Sequence, residues 1–149
     1  MDENRWTLRV HAVSKGPSTV FVRHSQFEAG EPLRFDPTYK QVTALEYLLS
    51  AIGADLVGGL QVIARRQSLK VTEIEAAVSC KLNNPLTYLG VVGEDGHSGV
   101  EQVAVTVYVS SEETEDTIRQ VWDEVLKRSP LVNTLKPAMR LDLTVKLVR

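Results

Sequence analysis

From Thr43 to about Arg66 the chain carries apolar residues around the whole circumference of a helix. Leu45, Leu48, Leu49, Ile52, Leu56, Leu60 and Ile63 recur at helical spacing, and Ala51, Ala54, Val57 and Val62 make the remaining faces apolar as well. A helix of this kind is predicted to be buried on all sides. Thr43 and Glu46 form a capping box at its start, because each side chain can satisfy an orphan backbone N–H. Gly53, Gly58 and Gly59 each cost about 1 kcal/mol relative to Ala in a helix interior. Close approach of another helix would explain their presence. Tyr47 to Ala64 is near the lower length limit for a membrane span, but Asp55 at its centre argues against insertion. No membrane partner is expected.

The other segments supply mixed structure around this helix. Trp6, Leu8, Val10 and Ala12 alternate with Thr7, Arg9 and His11, the period of a strand. Lys15-Gly16-Pro17-Ser18 is a turn, and Thr19 to His24 follows as a second strand at hairpin distance. Glu28 to Pro32 reads as a further turn, and Arg34 to Gln41 as an irregular connection. Val71 to Leu82 is a strand broken by Asn83-Asn84-Pro85, and Val103, Val105, Val107 and Val109 mark another. Ser110 and Glu113 suggest a second capping box ahead of the stripe Ile118, Val121, Trp122, Val125 and Leu126. Ser129-Pro130 ends that helix and opens a short one over Leu131 to Leu135. Leu141, Leu143, Val145 and Leu147 alternate in a closing strand. The predicted order is β-β-α-β-β-α-α-β, an α+β pattern in one domain spanning residues 1–149.

The composition narrows function mainly by exclusion. Apolar residues make up 43% of the 149 and charged residues 24%, enough for an ordinary core. Seventeen Lys and Arg against 19 Asp and Glu leave a net charge of −2, with no basic run for nucleic acid. The single cysteine, Cys80, excludes an intrachain disulfide. Met1-Asp2-Glu3-Asn4-Arg5 has no apolar signal region, so the chain is expected to be cytoplasmic. His11, His24 and His97 lack ligand spacing, so no metal or cofactor is expected.

Two segments are more specific: Ala44 to Asp55, and Arg128-Ser129-Pro130-Leu131-Val132-Asn133-Thr134-Leu135. Together they resemble the OsmC/Ohr family of organic hydroperoxide peroxidases. The first is similar to that family's helix P-x-E-x-L-L-x-A-L-G-x-C, and the second to the C-P after its second helix. The element order matches from about Trp6 to Val148. The resemblance implies an intertwined homodimer, with long helices packed centrally and two pockets at the dimer interface. It also implies a cysteine that attacks the peroxide and a second that resolves the sulfenic acid as a disulfide. Here those positions hold Asp55 and Ser129. Neither a carboxylate nor a hydroxyl can form a sulfenic acid. The family's helix-start glutamate, which helps orient an arginine, has Glu46 as its only carboxylate counterpart, with Arg23 and Arg34 as candidate partners.

These residues also have plainer readings. Ser129 before proline is a helix N-cap, and Glu46 completes the box of Thr43. Asp55 in an apolar site needs a partner or a raised pKa. Cys80 sits on the apolar face of its strand, as a core cysteine does. No G-x-S-x-G surrounds any serine. The leading expectation is a pseudo-peroxidase homodimer whose pocket, with Asp55, Ser129, Glu46, Arg23 and Arg34 as candidates, takes a small, partly apolar ligand. The alternatives are an organic hydroperoxide reductase for oxidative stress defence using Cys80 or an unrecognised mechanism, an enzyme with Asp55 as general base, and a structural dimer with a vestigial pocket.

Overall fold

A computed structural model describes residues 3–149; Met1 and Asp2 of the N-terminal stretch considered above lie outside the described residues. Among the described residues six strands and three α-helices follow one another. They are β1 (Arg9–His11), β2 (Ser18–Val22), β3 (Ser25–Ala29), α1 (Ala44–Arg66), β4 (Val71–Leu82), β5 (Val100–Ser111), α2 (Glu115–Arg128), α3 (Pro130–Leu135) and β6 (Arg140–Val148). The class is α+β, with one strand more than the expected β-β-α-β-β-α-α-β order. Glu28 and Ala29, expected in a turn, are the last residues of β3, where they pair with Thr19 and Ser18. The chain divides inside α1, between Leu48 and Leu49, into two compact units.

The first unit holds an antiparallel meander in the order β1-β2-β3. The first strand is shorter than its alternation suggests, and Trp6, Leu8, Val10 and Val13 are all exposed. Gly30 leaves β3 and donates from its N–H to the Val42 carbonyl at 2.8 Å. A Cβ there would stand 2.7 Å from the Gln41 Cβ, so the close return of the chain requires glycine. Tyr47 in the first turns of α1 donates from Oη to the Glu28 carbonyl at 2.6 Å, and its ring lies 5.0 Å from that of Phe27.

The second unit is a three-stranded sheet in the order β4-β5-β6, packed with helices. The β4–β5 pair is antiparallel, and β5–β6 is parallel, joined through α2 and α3. The inward side chains Val103, Val105, Val107 and Val109 are completely or almost completely buried. Ile118, Val121, Trp122 and Val125 are the buried stripe of α2, as their spacing requires. That helix is capped by Thr114, whose side chain accepts from the Thr117 N–H, not by Ser110. Both Ser110 and Ser111 belong to β5, and ladder pairing with Glu73 and Val71 claims them.

One face of α1 is buried, formed by Ile52, Gly53, Leu56, Leu60, Ile63 and Ala64. Ala51 and Ala54 on the other side are exposed, and Leu48, Val57, Gly58 and Val62 are half-buried. In the single chain the helix is thus covered on one face, not all round, because one layer of sheet and α2 cannot surround it. It is long and apolar enough to cross a membrane by length and composition, yet Ile52, Leu56 and Leu60 are buried in protein. The glycines divide by environment. A Cβ on Gly59 would meet Val125 of α2 at 3.0 Å, one on Gly53 would meet Val78 of β4 at 3.0 Å, and one on Gly58 would meet nothing within 4 Å. Only Gly59 shows the helix contact that all three suggested.

Candidate functional site

Asp55 and Ser129 are brought together. The Ser129 hydroxyl donates to Asp55 Oδ2. The same hydroxyl oxygen accepts from the Val132 N–H at 2.9 Å, so Ser129 caps α3 with proline behind it at the first helical position. Its own N–H donates to the Val125 carbonyl, closing α2. One buried serine therefore ends one helix, starts the next and holds a carboxylate on α1. Asp55 is half-buried, and its Oδ1 has no hydrogen-bond partner among the described residues.

This pair lines a cleft of about 190 Å³. Gly59, Val62, Ile63, Val125 and Pro130 supply the apolar wall, and Arg66 and Arg128 also line it. Asp55, Gly59, Val62 and Arg66 follow each other by four, three and four residues, which puts them on one stripe of α1. Arg128 is held by Glu124, with Nε donating to Oε1 at 2.6 Å. Arg66 forms no ion pair among the described residues. The two arginines were not singled out in the sequence; the helical stripe running on from Asp55 was the available signal for Arg66.

The other candidates lie in the first unit. Thr43 and Glu46 form the reciprocal capping box: the Thr43 N–H and hydroxyl donate to Glu46 Oε1, each at 3.0 Å, and the Glu46 N–H donates to Thr43 Oγ1 at 3.1 Å. The donation from the Thr43 backbone, aided by its hydroxyl, holds the Glu46 carboxyl below its ordinary pKa. Arg34 lines the same groove of about 350 Å³ as Glu46. Its ion pair is with Glu31 at 2.9 Å, and its guanidinium stacks 4.3 Å from the centre of the Tyr39 ring. Arg23 occupies the β2–β3 turn with a positive φ of 52°, a left-handed position.

Cys80 is on β4, half-buried, and does not line the Asp55 cleft. Burial pushes its thiol above the ordinary range, so less thiolate is present at neutral pH. Among the described residues no group of three or more His, Cys, Asp or Glu is placed to hold a metal ion.

Comparison with known proteins bears on the whole arrangement. Residues 37–144 match the family described as OsmC-like protein. An OsmC-like protein from Mycoplasma pneumoniae superimposes with a TM-score of 0.81 over 100% of both chains at 21% identity. A hypothetical protein from Aquifex aeolicus gives 0.77 over 97% of each chain at 14% identity. An organic hydroperoxide resistance protein from Legionella pneumophila gives 0.70 at 10% identity, over 98% of this chain and 99% of that one. At these identities the likeness is one of fold. No curated protein matches the chain. The family match, extending from the irregular connection before α1 into β6, takes in α1 with Asp55 and the α2–α3 junction at Ser129: the chain belongs to the OsmC-like protein family.

Proposed function

We propose that this OsmC-like chain works as a single domain in a cytoplasmic homodimer. In this reading it has left thiol peroxidase chemistry and keeps the cleft of Asp55 and Ser129 for a small, partly apolar ligand. The observation that carries the reading is the hydrogen bond from Ser129 to Asp55 inside an apolar-walled cleft. By the sequence resemblance the attacking and resolving cysteines would stand at these two positions, and such thiols must reach each other to form their disulfide. Asp55 and Ser129 keep that proximity and lack sulfur, so the site can bind but cannot cycle through a sulfenic acid. Cys80 is a poor substitute, since its thiol is desolvated and stands elsewhere. The exposed Trp6, Leu8 and Val10 in the first unit, and independently Ala51 and Ala54 on the outer side of α1 in the second, are apolar surface that supports a second copy.

The test is turnover of cumene hydroperoxide by the full chain with a dithiol reductant. The expected rate equals that of the protein-free control. Robust turnover that disappears in Cys80→Ser would overturn the reading in favour of a one-cysteine peroxidase. A linear alcohol such as hexanol is expected to bind the same preparation; its failure to bind would leave the cleft without a ligand role.

A further inference from the structure

Resting on the reading of this cleft as a ligand site, we infer that its ligand is a short unbranched carboxylate with a hydrogen-bond donor at its far end. Three features of the cleft dictate the three parts of such a molecule. At one end Asp55 has one oxygen engaged by Ser129, while Oδ1 has no donor among the described residues. A carboxylate oxygen can accept more than one hydrogen bond, so this atom calls for a hydroxyl or amine hydrogen from outside. At the other end Arg66 lines the cleft without an ion pair among the described residues, whereas Arg128 is already held by Glu124. An unpaired guanidinium at an apolar wall favours a carboxylate, which it can take with two parallel bonds.

The spacing sets the length. Asp55 and Arg66 are eleven residues apart on one stripe, about 16 Å along the axis. Both side chains tilt toward the helix N-terminus, and the longer arginine reaches further than the aspartate, which shortens that gap. Gly59 and Val62, between the charges, supply apolar lining and no charge. A volume of about 190 Å³ corresponds to about six waters of liquid, which admits a short chain and excludes a bulky ring system. An α-amino acid, with both charges on one carbon, cannot reach both ends.

Calorimetric titration of the full chain with ε-aminocaproate, ε-hydroxycaproate, caproate and hexanol tests this. The two donor-bearing carboxylates are expected to bind more tightly than caproate, and caproate more tightly than hexanol. Arg66→Gln, a change at an exposed residue, should weaken the three carboxylates about tenfold and leave hexanol unchanged. Asp55→Asn should remove the advantage of ε-aminocaproate over caproate. If hexanol binds and the carboxylates bind no better, or Arg66→Gln changes nothing, the ligand class is wrong while the apolar cleft stands. If neither hexanol nor any carboxylate binds, the ligand-site reading falls with it.

Discussion

Ser129 shows how much one hydroxyl can hold. Its oxygen accepts from Val132 and its hydrogen goes to Asp55, so its two interactions tie the start of α3 to the middle of α1. The capping half was legible, because Ser-Pro after a charged helix end is a strong local signal. The Asp55 half was not, since the partners are 74 residues apart and no periodicity links them. Thr114 provides the control, as an exposed N-cap that accepts from Thr117 and has no hydrogen bond to a carboxylate among the described residues. Thr114→Ala should cost about 1 kcal/mol. Ser129→Ala should cost about 2–4 kcal/mol, since it removes a cap and a hydrogen bond to a charged group. Urea unfolding of both variants checks this, and equal losses would mean that the Asp55 bond contributes nothing to stability. Arg34 illustrates the opposite limit of sequence reading. It lines the groove of Glu46, but its ion pair with Glu31, three residues away, is a local choice that competes with any longer-range partner.

At the scale of elements, α1 and the long strands were legible because their periods are sustained over many residues. The third strand was not: Ser25 to Ala29 has only Phe27 and Ala29 as apolar members, and it runs directly into Gly30. Its strand state comes from pairing with β2, a tertiary cause. The start of α2 was displaced for a related reason. Ser110, Ser111 and Thr114 all have capping chemistry, and only ladder pairing along β5 removes the first two from contention. Within α1 the glycines give a sharp expectation. Val125 is buried and β-branched on a helix, so it has little freedom to move away from a Cβ built on Gly59 at 3.0 Å. The overpacking cost should exceed the helix-propensity gain of about 1 kcal/mol, so Gly59→Ala is expected to destabilise by about 1 kcal/mol net. Thermal unfolding followed by circular dichroism measures it; a stabilised variant would show that α1 and α2 can separate freely there.

On the scale of the whole molecule, the proposed homodimer follows from apolar surface that one chain does not cover. Trp6 is 82% exposed and Leu8 61%, on a meander whose outer strand β1 is only three residues long. The outer side of α1 presents Ala51, Ala54 and Gly58, residues small enough for a second helix to approach closely. The all-round apolar character of α1 in the sequence, against its one-sided burial in the single chain, is the same discrepancy seen from both directions. In the proposed homodimer a second copy supplies the cover that the pattern predicts and the single chain lacks. Sedimentation equilibrium at micromolar concentration is therefore expected to give about twice the chain mass. The thermal midpoint should rise with protein concentration, as it does when folding and association are linked. Ala54→Arg places a charge on an exposed position of the single chain, so it should leave the helical signal intact while shifting the mass toward one chain. A well-folded wild-type monomer under the same conditions would sink the dimer. The outer face of α1 would then be solvent-facing despite its composition, and the exposed Trp6 and Leu8 would need a partner other than a second copy.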